Sequence, residues 1–272
     1  MSSTNPEVAT RDPRSGDGRV RSAYASLVQT SQKRGGALVI LVDPDRQPVD
    51  SLPAFCDRCL QAGVDAFFVG SSILCRGDFN EFCGQLRNAT SLPIVGFPGS
   101  ISQVSAELDA ILFLSIVSGR NPEYLFGQHV HAAPTIRALG LETIPTAYML
   151  VESGATTTAQ YMSHSLPLPA NKPDVAAATA LAAEMLGMRL LFLDAGSGAE
   201  RPVPVELVQA VRETCSSPIV VGGGLRTADA VRRRVESGAS FVVVGNAVEG
   251  RSDAEYLTEL GYAVHVAEPR PI

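Results

Sequence analysis

Eight short apolar runs recur along the chain, and most are followed by a stretch with helical periodicity. Continuous apolar runs are typical of strands that are buried on both faces of a parallel sheet. Closed α/β barrels have about 250 residues, and this chain has 272. The pattern therefore predicts an α/β fold, a (β/α)8 TIM barrel rather than an open doubly wound sheet. The predicted strands are 37–42, 66–69, 93–97, 110–115, 142–150, 189–193, 218–221 and 241–244.

The third crossover of this predicted barrel is unusually short. Only residues 98–109 separate the third and fourth apolar runs, barely the length that a parallel crossover with its helix requires. We therefore expect a modified barrel in which helix 3 is truncated or missing. Residues 1–19 contain almost no apolar side chains and are predicted to form a disordered tail. Residues 20–272 are predicted to form a single TIM-barrel domain.

Composition excludes several classes of protein. A hydrophobic content of 45% with 18% charged residues is typical of a globular protein with a large core. The net charge of −6 argues against nonspecific nucleic-acid binding, which needs clustered cations.

The sequence shows no apolar secretory segment, and its five cysteines favour a reducing compartment, so a cytoplasmic location is expected. Cys56 and Cys59 form an isolated CxxC pair, for which neither a zinc nor a redox role is expected.

The carboxylate of Asp194 is the first polar group after the apolar run 190–193. In parallel α/β proteins the ligand site lies just beyond the carboxyl ends of the strands. A charge at this point indicates chemistry rather than packing. Glycines on both sides of Ser197 would let the backbone approach a ligand closely.

Two glycine-rich turns follow the seventh and eighth predicted strands, at Gly222–Gly224 and at Gly245–Asn246. Such turns present backbone N–H groups and helix dipoles to an anion, and they form the usual phosphate site of these barrels. The alternative is that the glycines only permit tight turns. Because both turns have the same character, the pattern favours a phosphate site.

Asp43 follows the first predicted strand and is the best candidate metal ligand. Mg²⁺ binds oxygen atoms, usually one or two carboxylates together with substrate phosphates and water. A nearby serine hydroxyl, at Ser71 or Ser72 after the second strand, could add another oxygen. Asp45 is interpreted instead as a helix N-cap. All four histidines are predicted to be solvated or structural: His129, His131, His164 and His265.

Seven motifs occur in the order that is found in one known family. The chain resembles the geranylgeranylglyceryl phosphate synthases from about Gly36 to Gly250. It is most similar to the branch with a Ser-Gly-Arg-Asn-Pro segment, rather than to the heptaprenylglyceryl phosphate synthases. The motifs are Val-Asp-Pro-Asp-Arg (42–46), Phe-Pro-Gly (97–99), Leu-Phe-Leu-Ser (112–115), Ser-Gly-Arg-Asn-Pro (118–122), Asp-Ala-Gly-Ser-Gly-Ala (194–199), Val-Gly-Gly-Gly-Leu-Arg (221–226) and Val-Val-Gly-Asn (243–246).

This resemblance implies a prenyltransferase that joins sn-glycerol 1-phosphate to a prenyl diphosphate of the geranylgeranyl type. Pyrophosphate would be released, in ether phospholipid biosynthesis, with Mg²⁺ as cofactor. It implies Asp43 and Ser72 as metal ligands and Asp194 as the general base. A homo-oligomer that contacts membrane surfaces transiently is also expected. The implied substrate-binding residues are Phe192, Leu193, Asp194, Ala195, Gly196, Ser197, Gly198, Gly223, Gly224, Gly245 and Asn246.

Two residues depart from the family motif, since Phe192 stands where the family has tyrosine and Asp194 where it has glutamate. Aspartate keeps the charge but reaches one methylene less far, so activity could be retuned to another acceptor. One alternative is therefore a noncatalytic or retuned barrel that binds phosphate or prenyl groups. The other is an enzyme acting on a phosphorylated sugar. Lys33 and Lys172 are far from the strand ends, which argues against a lysine-based aldolase.

Overall fold

Eight parallel strands form a closed barrel in which each strand pairs with its neighbours in chain order and β8 pairs with β1. The computed structural model describes residues 22–245, 247–248 and 253–265. The predicted (β/α)8 fold is confirmed. The strands are β1 (Ala37–Val42), β2 (Ala66–Val69), β3 (Ile94–Gly96), β4 (Ala110–Ile116), β5 (Glu142–Leu150), β6 (Leu190–Asp194), β7 (Ile219–Gly222) and β8 (Phe241–Val244).

The helices surround this barrel, and several begin at a residue whose side chain caps the first turn. The side chains of Asp78, Thr227 and Asp253 accept hydrogen bonds from backbone N–H groups three residues later, which satisfies donors that a helix start otherwise leaves free. The helices are α1 (Ala23–Arg34), α2 (Leu52–Gln61), α3 (Phe79–Ala89), α4 (Gln128–Leu139), α5 (Thr158–Ser163), α6 (Pro173–Met185), α7 (Val205–Thr214), α8 (Ala228–Glu236) and α9 (Ala254–Val264). A π-helical turn (Glu123–Gly127) precedes α4.

The strands divide the core into two apolar layers, because successive side chains point to opposite faces. Leu191 and Leu193 of β6 pack between the barrel and the helices. Leu190 and Phe192 of the same strand pack inside the barrel. Asp194 has the same parity as Phe192, so the alternation directs its carboxylate to the interior at the carboxyl end of the strand.

No helix lies between β3 and β4, where residues 97–109 form turns, bends and irregular backbone. This agrees with the expectation that helix 3 is truncated or missing. Phe113, which projects from β4 toward the helix layer, is only partly buried. One side of the barrel therefore lacks the helical cover that the other strands have.

The bottom of the barrel is held by a charged cluster around the buried carboxylate of Asp65. Arg34 Nη1 donates to Asp65 Oδ1 at 2.6 Å, and His265 Nε2 lies 2.9 Å from Asp65 Oδ2. The same Oδ2 accepts from the backbone N–H of Leu38 at 2.8 Å. This cluster links α1, β1 and the end of α9, and it assigns His265 the structural role that the sequence predicts.

Some predictions differ from the structure or lie outside it. The predicted tail, residues 1–19, and the predicted phosphate ligand Asn246 lie outside the described residues. The polar, threonine-rich segment 153–173 predicts a loop, but it contains α5. The sequence also predicts one long helix over 121–139, whereas the structure has the π-helical turn followed by α4. Within the described ranges, no helix is long and apolar enough to cross a bilayer.

Candidate active site

A cavity of about 390 Å³ opens at the carboxyl ends of the strands. This volume lies within the range of about 300–1,000 Å³ that is typical of ligand pockets. Segments that follow all eight strands line it, so residues distant in sequence face one space. The predicted site residues that line it are Asp43, Ser72, Phe192, Asp194, Ser197, Gly198, Gly223, Gly224 and Gly245.

Asp194 is the last residue of β6, and only 7% of its surface is exposed. Its Oδ1 accepts a hydrogen bond from the backbone N–H of Gly196 at 2.9 Å. Its Oδ2 accepts a short hydrogen bond from the hydroxyl of Tyr148 on β5. Burial raises the pKa of the Asp194 carboxyl, and the hydrogen bonds from Tyr148 and Gly196 act in the opposite direction. The site thus holds a carboxylate in fixed orientation, with a greater affinity for a proton than an exposed aspartate.

The residues around Asp194 fall into two groups. Phe192, Ser197 and Gly198 line the cavity, whereas the side chains of Leu193 and Ala195 pack in the outer apolar layer. Leu193 and Ala195 therefore shape the site through their backbone. Gly196 has a φ of +92°, and a Cβ there would lie 2.4 Å from the Thr157 side chain. Only glycine permits this approach of the loop to the start of α5.

The glycine turn after β7 lies directly against the Asp194 loop. Gly223 has a φ of +77°, and a Cβ there would lie 2.6 Å from the backbone nitrogen of Gly196. Gly224 has a φ of +68°. Both glycines line the cavity together with Gly245, which follows β8. The two turns that the sequence predicts as a phosphate site therefore line the same cavity as Asp194, and the turn after β7 contacts the Asp194 loop directly.

The residues around Asp43 fit part of a magnesium site. Ser71 Oγ donates a hydrogen bond to Asp43 Oδ2 at 3.2 Å, and Ser71 and Ser72 both line the cavity. Within the described ranges, no cluster of three or more His, Cys, Asp or Glu side chains could hold a metal. One carboxylate with hydroxyl neighbours suits Mg²⁺ that takes its other ligands from a bound phosphate and water. Ser71, which the resemblance does not assign, is the serine whose contact with Asp43 is seen.

Arg46 provides a positive charge next to this carboxylate. Its Nε lies 3.6 Å from Asp43 Oδ2, and 55% of the arginine side chain is exposed. Because the guanidinium also lines the cavity, it could pair with a phosphate that approaches Asp43. Arg46 belongs to the Val-Asp-Pro-Asp-Arg motif, but sequence reasoning gave it no role.

Two side chains fix the loop that carries Ser71 and Ser72. Asp45 accepts hydrogen bonds from the backbone N–H groups of Cys75 (2.7 Å) and Arg76 (2.8 Å). It therefore joins the loops after β1 and β2. The prediction that Asp45 caps a helix is wrong, because the first helical turn after β1 begins at Val49 and follows Pro48. On the other side, the fully buried Gln103 donates to the Ser71 carbonyl at 2.8 Å. Its Oε1 accepts from the N–H of Ser71 at 3.0 Å.

Replacing Gln103 with leucine is expected to lower the free energy of unfolding by about 2–3 kcal/mol. The change removes the hydrogen-bond partners of the half-buried N–H and C=O of Ser71, and a buried polar group left unsatisfied costs about 1–3 kcal/mol. Urea denaturation would measure the change. The control is Gln61→Leu on the exposed surface of α2, where about 0.5 kcal/mol or less is expected. Equal stability losses in both variants would contradict this role of Gln103.

The cavity continues outward from the barrel mouth into an apolar groove. Its walls include Phe113 from β4 and Ala132 and Ile136 from α4, and it begins near Phe97 and Tyr148. The groove lies on the side of the barrel where no helix follows β3. The groove can take an extended apolar chain whose polar end lies at the mouth.

The remaining candidate groups do not form a second catalytic set. His129 is buried, with its ring centroid 4.3 Å from that of Phe113, and burial lowers the pKa of its imidazole. Burial raises the pKa of the Cys56 thiol to about 11 and that of Cys59 to about 12. Both cysteines are therefore buried core residues with little reactive thiolate.

Comparison with known families identifies extensive similarity. The sequence model of the PcrB family matches residues 29–260. A geranylgeranylglyceryl phosphate synthase from Chitinophaga pinensis is 42% identical over 246 residues, which cover 90% of this chain and 97% of the relative. The enzyme of the same name from Spirosoma linguale is 44% identical over 228 residues, or 84% of this chain and 91% of the relative.

Solved structures agree with these sequence relatives. The (S)-3-O-geranylgeranylglyceryl phosphate synthase of Thermoplasma acidophilum was solved in complex with its substrate sn-glycerol-1-phosphate. It is 29% identical to this chain with a TM-score of 0.82, and the match covers 88% of this chain and 96% of that one. A thiamine phosphate pyrophosphorylase from Pyrococcus furiosus, 16% identical with a TM-score of 0.55, shares the fold over 85% of this chain and 96% of its own.

Proposed function

Because this chain belongs to the PcrB family, we propose that it is a prenyltransferase that acts on sn-glycerol 1-phosphate, as the names of its relatives indicate. The finer proposal is that a geranylgeranyl-type prenyl diphosphate is the donor, in ether phospholipid biosynthesis. One observation carries it. A single cavity joins a buried carboxylate, glycine-rich turns and an oxygen-rich corner at Asp43 to an apolar groove. These four features match the chemically different parts of the two substrates.

The phosphate of the acceptor is proposed to bind at the turns containing Gly223, Gly224 and Gly245. Backbone N–H groups in left-handed and turn conformations form concave sites for anions. Gly223 lies so close to Gly196 that the phosphate turn and the Asp194 loop form one surface. A glycerol phosphate held by its phosphate would thus have its terminal hydroxyl near Asp194. Asn246, predicted from sequence as a further ligand, stays a prediction.

Asp194 is proposed to act as general base. The carboxylate removes the proton from the attacking hydroxyl, whose oxygen forms a new bond to the first carbon of the prenyl chain. The bond between this carbon and the diphosphate breaks, and its electron pair leaves with the diphosphate. Because burial raises the pKa of Asp194, the reactive ionised form is lost as the pH falls through that value. Turnover should therefore decline on the acid side.

Mg²⁺ is the proposed cofactor, held by Asp43, Ser72 and the neighbouring Ser71. Asp43 presents a carboxylate to the cavity, and Ser71 already orients it through the 3.2 Å hydrogen bond. Bound Mg²⁺ would neutralise the charge of the departing diphosphate. Arg46 lies beside the same carboxylate and would add a positive charge for the diphosphate.

Purified protein incubated with radiolabelled sn-glycerol 1-phosphate, Mg²⁺ and prenyl diphosphates of several lengths tests this function. The expected result is a lipid-soluble phosphorylated product, which no longer forms when EDTA removes the metal. Binding of either substrate without product would favour the noncatalytic alternative. Conversion of a phosphorylated sugar without any lipid product would favour the phosphosugar alternative. Product formation that resists EDTA would contradict the magnesium proposal alone.

Three further expectations remain predictions: a cytoplasmic location, assembly into a homo-oligomer and transient contact with a membrane surface. The lipid character of the proposed product supports the last of these, since an apolar product must reach a lipid phase. The groove, whose walls include Phe113 and Ile136, is the proposed seat of the prenyl chain.

A further inference from the structure

Tyr148 and Asp194 lie on neighbouring strands of the barrel. In the register of β5 and β6, Tyr148 pairs with Phe192 and Leu150 pairs with Asp194. Tyr148 is therefore one step of two residues below the carboxylate, about 6–7 Å along the strand direction. A tyrosine is long enough to span this step, and its hydroxyl reaches Asp194 Oδ2. A shorter polar side chain at position 148 could not make this contact.

The tyrosine ring is itself fixed by aromatic neighbours. Its centroid lies 5.6 Å from that of Phe97 and 5.3 Å from that of Phe192, with interplanar angles of 77° and 79°. Only 5% of Tyr148 is exposed. Edge-to-face contacts of this kind hold a ring in one orientation, so the hydroxyl is positioned before any substrate binds.

The carboxylate of Asp194 is held at both oxygens, by the Gly196 N–H at Oδ1 and by the Tyr148 hydroxyl at Oδ2. Both donors stabilise the ionised form. Phe192 and Gly222 also pack near the carboxylate, and neither carries a charge. Asp43, Asp45, Arg46 and Arg226 line other parts of the same cavity. Burial is the largest influence on the pKa of Asp194, with Tyr148 and Gly196 as the opposing influences.

We propose that Tyr148 is a positioning residue of the reaction, whose hydroxyl orients the Asp194 carboxylate and keeps it ionised for deprotonation of the acceptor. This inference rests on the proposed role of Asp194 as general base. Tyr148 lies on β5, outside the sequence motif that contains Asp194. Phe192, the residue paired with Tyr148, has no hydroxyl and cannot supply the second donor.

Tyr148→Phe separates this role from packing, because phenylalanine keeps the ring and loses only the hydroxyl. NMR titration of protein labelled with ¹³C at the aspartate carboxyl carbons would report the pKa of Asp194 without any turnover, with Asp194→Asn identifying the signal. We expect Tyr148→Phe to raise this pKa by about one unit or more, because one of two donors to the anion is removed. The acid limb of kcat/KM should move to higher pH by the same amount.

Tyr124→Phe is the matched control, since Tyr124 lines the same cavity but does not donate to Asp194. It should leave both the carboxyl pKa and the acid limb unchanged. An unchanged Asp194 pKa in Tyr148→Phe would overturn the inference, whatever the enzyme catalyses. A raised pKa with an unmoved acid limb would also overturn it, because Asp194 would then not be the reacting base. If the wild-type protein forms no product, the proposed function fails, and the NMR titration still decides whether Tyr148 controls the carboxylate.

Discussion

Asp194→Asn is expected to lower kcat/KM by about a thousandfold while the barrel stays folded. General-base catalysis contributes roughly 10²–10⁴-fold, and an amide cannot accept the proton. The fold should tolerate the change, because the amide oxygen can still accept from Gly196 N–H and the Tyr148 hydroxyl can accept from the new NH₂ group. Steady-state kinetics and thermal unfolding would measure the two effects separately.

Two further variants make this expectation specific. Asp174→Asn removes a carboxylate from the exposed first turn of α6 and should leave kcat/KM within about twofold. Asp194→Glu keeps a carboxylate but moves it by about one methylene, and it should retain more activity than Asp194→Asn. If asparagine and glutamate were equally active, Asp194 would have no role as a base.

Gly223→Ala is expected to reduce the affinity for glycerol phosphate more than about a hundredfold and to cost roughly 3–4 kcal/mol of stability. The new Cβ would lie 2.6 Å from Gly196 N and 2.8 Å from Asp194 Oδ1. Backbone atoms cannot rotate away, so the Gly196 loop must shift and its N–H would no longer support Asp194. Calorimetric titration with glycerol phosphate and urea denaturation would measure the two losses.

Gly198→Ala provides a matched control for this clash. Gly198 has a similar φ of +75°, but a Cβ there would meet nothing within 4 Å. The expected cost is only the left-handed backbone strain of about 1–2 kcal/mol. Similar effects of the two substitutions would show that backbone conformation, and not contact with Gly196, governs the turn.

The sequence predicts the barrel well because its strands are buried on both faces. The observed bounds of β1, β2 and β8 coincide with the apolar runs 37–42, 66–69 and 241–244, and those of β5 coincide with the predicted strand 142–150. Buried parallel strands require continuous apolar residues, so the pattern and the structure follow from the same cause. The short third crossover likewise predicts a truncated or missing helix, because residues 98–109 are barely long enough for a parallel crossover with its helix.

The contacts that complete the site could not be predicted from the sequence. Tyr148 meets Asp194 only because β5 and β6 are adjacent and have a particular register. Gln103 reads as an ordinary polar residue, yet it is fully buried against Ser71. The short helix α5 also escaped prediction, because six residues are too few for a clear helical period. These contacts depend on residues that are distant in sequence. Sequence motifs identify only the residues that directly follow the strands.

The uncovered side of the barrel has a thermodynamic consequence. The side chains that a helix after β3 would cover, with Phe113 among them, line the groove instead. A prenyl chain in this groove would remove from water the surface that the polypeptide leaves open, and so would act as a substitute for a missing element of the core. A ligand that binds only the native state raises stability with its concentration. We therefore expect a prenyl ligand bound in the groove to raise the free energy of unfolding of the protein.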